Sequence, residues 1–146
     1  MDNNDLLLNG SQATYVMPLT QGEVLGSYSG TFVFSCYLTP IQQLEAGREY
    51  RSLLGSHGPM SSETEANIAF ALSQLKYRVI SAPPFWNSTK QGSGYAGDIP
   101  DLNILALILE KAIMAENLFK ESIQKERDAL LERTILAGEA ALKKEE

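Results

Sequence analysis

From Pro100 to Lys143 the chain offers only one residue that discourages a helix, Gly138, and no proline after the first position. Forty-odd helix-compatible residues predict a rod of about 65 Å at 1.5 Å rise per residue. The mean globular helix has only about 11–12 residues. The whole chain is 146 residues long, about one domain, so a rod of that length cannot be buried within its own body. Its two halves differ. Leu102 to Ala115 is apolar almost all round, which implies burial on several sides. From Glu116 onward it is charged, with Phe119, Ile123, Leu130, Leu131, Ile135 and Leu142 as a narrow apolar stripe. Glu116–Lys120, Glu121–Lys125 and Glu139–Lys143 are spaced as favourable i,i+4 pairs. Glu116 and Glu126 interrupt the heptad through Leu105, Leu109, Ala112, Phe119 and Ile123, so a strict coiled coil is not expected. The distal half must project, fold back near Gly138, or meet another chain. Packing against a partner protein or a neighbouring copy is the expectation.

Upstream of the rod, a strand and two helices can be read. Tyr28, Gly30, Phe32, Phe34, Cys36 and Leu38 share one parity, against Ser29, Thr31, Val33, Ser35 and Tyr37 on the other. This period of two predicts a strand with one buried face. A lone strand cannot persist, so Ala13–Met17 or Glu23–Leu25 is its expected partner, with Thr20-Gln21-Gly22 as a turn. Thr39-Pro40-Ile41-Gln42 has the spacing of a capping box with Pro at the first helical position. The helix it opens should run to Leu54, stop at Gly55, and anchor through Ile41, Leu44, Leu53 and Leu54. Ser62 and Glu65 form a second such box, opening a helix to about Ile80 with Ile68, Leu72, Leu75 and Val79 as one stripe. The tandem prolines of Ala82-Pro83-Pro84-Phe85-Trp86 end it. Residues 56–59 and 87–97 read as loops, and Asp98 as the cap of the long helix. Residues 1–12 are polar and aperiodic, and read as an arm that is flexible or ordered by a partner.

The fold class expected is therefore α+β: a small N-terminal antiparallel sheet packed by two helices, then the long C-terminal helix. By domain, residues 1–12 are the arm, 13–115 the compact body, and 116–146 the projecting charged part.

Catalytic chemistry finds little support. Gly92-Ser93-Gly94-Tyr95-Ala96-Gly97 spells a dinucleotide-binding pattern, but no strand precedes it and no βαβ unit surrounds it, so a loop is the better reading. His57 is the only histidine and Cys36 the only cysteine. A metal cluster has no ligand set, and Cys36 falls on the buried parity, which suits a small core residue better than a Cys–His dyad. The carboxylates at 110, 116, 121, 126 and 128 interleave with Lys and Arg as a solvated helix face does. No catalytic residue, cofactor or metal is expected; an enzyme or nucleotide binder using His57 or the Gly92–Gly97 loop is the remote alternative. The net charge of −6 argues against direct contact with nucleic acid or an anionic membrane. The distal helix segment from residue 110 carries nine acidic and seven basic residues, so little of that excess lies there. No apolar run approaches the roughly 20 residues of a membrane span. The first residues lack a basic, apolar leader, and the unpaired Cys36 fits a reducing compartment, so Asn87-Ser88-Thr89 is read as a polar loop. Pro83, Pro84, Phe85 and Trp86 have two readings: a rigid connector whose aromatics cover the core edge, or a docking point for a partner.

Gly30-Thr31-Phe32, Leu38-Thr39-Pro40, Tyr50-Arg51-x-Leu53-Leu54-Gly55 and the stretch from Ala66 to Trp86, with Phe70-Ala71-Leu72-Ser73-Gln74-Leu75-Lys76-Tyr77-Arg78 at its centre, resemble small proteins of the structural gene modules of tailed bacteriophages. The resemblance covers about residues 24–115 and includes no catalytic motif. It implies a non-enzymatic protein of the virion, assembled in the host cytoplasm, whose partners are other phage structural proteins or copies of itself. Capsid- or neck-associated accessory proteins are one subtype it implies, and transient tail assembly chaperones another. The long charged C-terminal helix departs from a compact chaperone. The expected contacts are Pro83, Pro84, Phe85, Trp86, Phe119, Ile123, Leu130, Leu131, Ile135 and Leu142.

Overall fold

The computed structural model describes residues 6–23, 26–55, 62–87 and 101–145. Four strands and four helices follow in the order β1 (Leu6–Asn9), β2 (Gln12–Gln21), β3 (Ser27–Ser35), α1 (Pro40–Leu54), α2 (Glu63–Arg78), β4 (Val79–Ser81), the single-turn α3 (Pro84–Asn87) and α4 (Leu102–Glu145). The strands form one antiparallel sheet in sequence order. The fold is α+β, as the patterning predicts. The loops read at 56–59 and 87–97 lie outside the described residues, apart from Asn87 at the end of α3; His57, the Gly92–Gly97 run, Asp98 and Pro100 lie outside them too.

The parity of β3 sets the core. Phe32, Phe34 and Cys36 are fully buried, and they meet Ala13, Tyr15 and Met17 from β2. The rings of Tyr15, Phe32 and Phe34 stack with centroids 5.8–6.5 Å apart. The proximal half of α4 lies across this face and buries Ile104, Leu105, Ile108, Ala112 and Ala115, while α2 adds Ala71 and Leu75. The burial expected on several sides is met only in part, since Leu102, Ala106 and Ile113 are exposed along one line of the helix.

Several expectations are corrected. The arm is a strand from Leu6 to Asn9: Leu6 pairs with Tyr15 and its side chain is buried, because the sheet supplies the backbone partners that four residues cannot supply alone. Thr20 and Gln21 belong to β2, pairing with Tyr28 and Ser27, so the turn comes later. The cap at Thr39 forms as its spacing dictates: its hydroxyl accepts from the Gln42 N–H, and the Gln42 side chain accepts from the Thr39 N–H. Gly55 closes α1 at φ 65°, a conformation that favours glycine. The anchors of α1 differ, however. Ile41, Leu44 and Leu53 are exposed, and Ala46 is the buried residue, because among the described elements α1 packs chiefly on α2. Ser62 caps α2 through the Glu65 N–H, but Glu65 bonds the Ser62 hydroxyl and not its backbone, so the second box is half formed. Helix α2 ends at Arg78, and Val79–Ser81 passes into β4 beside Phe34 and Val33. Its buried positions are Ala69, Ala71, Ser73, Leu75 and Arg78, since α1 covers one side and the core the other.

Candidate interaction surface

Helix α4 is fixed to the body at its start. Asp101 is fully buried; its carbonyl accepts from the Leu105 N–H and its carboxylate accepts from the Tyr28 hydroxyl at 2.6 Å. That hydrogen bond, with burial and the carboxylate's charge behind it, pushes the Tyr28 hydroxyl pKa up from 10.0. One turn and more along, Lys111 lies buried with its Nζ 5.4 Å from the Tyr15 ring centroid, a cation over a π face. Arg78 on α2 reaches Glu116 at 3.4 Å and Gln74 at 3.0 Å, and Lys120 joins Glu116 at 3.8 Å. Phe119 stacks on Tyr37 with centroids 6.0 Å apart. Cys36 lies beneath, its thiol pKa raised by burial and then by the charge of Glu116. A cleft of about 370 Å³ opens here, where Ile123, Gln124 and Arg127 leave the body. Phe119 and Ile123, expected as partner contacts, are half-buried against this body and serve first to seat the helix.

Beyond Ile123 the helix has no cover. Every described side chain from Gln124 to Leu142 is exposed. The helix runs through Gly138 without a break, so the fold-back does not occur. Leu130 is 64% exposed, Leu131 61%, Ile135 53%, Leu136 58% and Leu142 66%. At 100° per residue Leu131, Ile135 and Leu142 share one line, and Leu130, Thr134, Ala137 and Ala141 form the adjacent row. Within the helix, Thr134 Oγ1 returns a hydrogen bond to the Leu130 carbonyl and Gln124 bonds Asp128. The distal stretch thus presents large apolar groups that its own domain leaves in water.

The Pro-Pro-Phe-Trp segment is a different matter. Trp86 is 1% exposed and stands edge-on to Phe32 at 5.3 Å, and Pro83 is buried. Phe85 meets Tyr28 at 5.0 Å and Phe32 at 5.9 Å. Gly30, at φ 142°, leaves room for Pro83: a Cβ there would meet the Pro83 ring, with Cγ at 2.8 Å. The docking reading of Pro83, Phe85 and Trp86 is therefore corrected. Their apolar surface closes one end of the sheet core, and only Pro84 is exposed.

Two features escaped the sequence reading. Strands β1 and β4 are too short to show a period, and the Tyr28–Asp101 bond joins residues 73 apart, which no local pattern reveals. Among the described residues, no group of three or more His, Cys, Asp or Glu could hold a metal ion, and no helix is long and apolar enough to cross a membrane. Comparison with protein-family models, curated proteins and solved structures gave no match.

Proposed function

We propose that this protein is a non-enzymatic structural component of a tailed-phage particle, which joins other virion proteins through the distal half of α4. One observation carries the interaction: a continuous helix leaves its domain after Ile123 with Leu130, Leu131, Ile135, Leu136 and Leu142 all uncovered. Burying one such side chain is worth about 1.5–3 kcal/mol, so a partner surface that took three or four of them would supply much of a specific affinity. The virion setting rests on the resemblance of residues 24–115 to phage structural-module proteins. Buried Asp101, the core contacts and the Arg78–Glu116 ion pair hold the helix root, so that the distal stretch is presented at a fixed angle.

The test is a chain ending at Gln124, just past the last body contacts. It should keep its thermal transition, lose its place in purified particles and reduce particle yield. Full incorporation of the shortened chain would refute the role of the helix. Mass spectrometry of mature particles separates a permanent component from a transient assembly chaperone: the former is present in fixed copy number, the latter is absent.

A further inference from the structure

The sheet has two unlike faces. The helices cover one. The other carries Leu7, Thr14, Val16, Ser29, Thr31 and Val33, alternating with the core positions, and no described helix packs on it. Leu7 is 71% exposed and Val16 58%, with Leu19 at the β2 irregularity 72% and Ile80 on β4 53%. None of the four strands contains an Asp, Glu, Lys or Arg, although the chain has 12 basic and 18 acidic residues. A soluble protein's surface is commonly about 25–35% charged, and solvated strands use charge, Lys above all, to discourage association.

We propose that this open face is a self-association surface, on which a second copy of the chain stacks its own open face. The choice of occupant follows from charge and area. In a two-fold interface both copies present the same patch, so a charge close to the axis lies near its own copy. This chain carries −6 overall, and the uncharged sheet is where two copies approach with least repulsion. The distal helix, in contrast, carries charges of both signs, with Lys125 and Lys143 beside Glu121, Asp128, Glu132 and Glu139. At about 3.3 Å per residue and about 4.8 Å between strands the four strands cover roughly 400 Å² as a flat footprint. With both partners that is roughly 800 Å², below the standard size of a specific interface and in the range of weak, transient contacts. Two such faces stack about 10 Å apart with strands about 30° from parallel. Area does not fix affinity, but an interface this small belongs with weak dimers, with Kd on the order of micromolar or above.

Sedimentation of the full chain over a concentration series spanning that range reads the proposal. A monomer–dimer equilibrium is expected, and Val16→Glu should weaken it at least tenfold, because it buries two carboxylates, one from each copy, in an uncharged interface. Thr31→Lys, cross-strand from Val16, should do the same with the opposite sign of charge. Both positions are exposed, so far-UV circular dichroism should be unchanged; if one variant unfolds, the other decides. Leu131→Glu should leave the dimer intact. A chain monomeric throughout, a dimer that survives the folded sheet variants, or one lost only on Leu131→Glu would each overturn the proposal; the last would place self-association on the distal helix.

Discussion

Gly30→Ala probes the contact that holds the Pro-Pro-Phe-Trp segment on the sheet. Gly30 has φ 142°, outside the range that side-chain-bearing residues favour. Holding alanine there costs about 1–3 kcal/mol in backbone strain. The new methyl group also meets Pro83, whose ring is fixed to the backbone and has no rotamer to escape into; forced overpacking of this kind costs typically about 1–3 kcal/mol. Together the loss is about 2–6 kcal/mol, a large share of the roughly 5–15 kcal/mol that keeps a domain folded. A domain of this size loses about 3–4 °C per kcal/mol, so the melting temperature should fall by roughly 10 °C or more. Urea unfolding followed by circular dichroism measures it. Pro83→Gly removes the ring, so the double variant separates the two causes: the steric share should appear as a coupling of about 1–3 kcal/mol, while the backbone share should persist. Gly30→Ala within about 0.5 kcal/mol of the parent, the range of an ordinary surface change, would refute the close approach.

The Tyr28–Asp101 bond gives a pH dependence. The hydroxyl pKa of Tyr28 is raised above its free value of 10.0, so the folded chain holds that proton when the unfolded chain has lost it. The stabilisation is complete below pH 10 and declines as pH rises beyond it. Tyr28→Phe should flatten that decline in an unfolding series, with the buried Cys36 thiol, whose pKa is raised above 9.0, still contributing; an unchanged slope would count against the bond. Thr39→Ala removes the acceptor for the Gln42 N–H and should cost about 1 kcal/mol in thermal unfolding. Trp86→Ala should cost about 3–5 kcal/mol, as its burial against Phe32 requires; a surface-like value would restore the docking reading. Leu131→Ser with Ile135→Ser should leave unfolding of the body within about 0.5 kcal/mol and yet reduce incorporation into particles.

What could be read from sequence depended on how far along the chain the deciding interaction reaches. The Thr39 cap, Pro40 and the stop at Gly55 act within one turn, so the bounds of α1 follow from residue spacing alone. The parity of Phe32 and Phe34 follows from the pleat of one strand, which ends at Ser35 and not at Leu38 as the alternation suggests, and the length of α4 from the lack of a proline. The burial of α1 was not readable that way. Ile41 and Leu44 have the spacing of anchors, and whether they touch the sheet depends on where α2 lies, which is a tertiary matter. The candidate surface was legible in part: Leu130, Leu131, Ile135 and Leu142 belong to a stripe that one domain cannot cover, whereas the stripe alone does not reveal that Phe119 and Ile123 are half-buried at the helix root. Trp86 and Pro83 show the same division. Sequence marks them as rigid and aromatic, and only the approach of Gly30 and Phe32 from another strand turns them inward. The amino-acid sequence thus determined the elements, the capped ends and the excess length of the last helix, because those depend on neighbours a few residues apart. Tertiary structure decided which apolar residues reach water, because burial is a property of what lies across the gap, and β1, β4 and the uncovered sheet face exist only once distant segments have met.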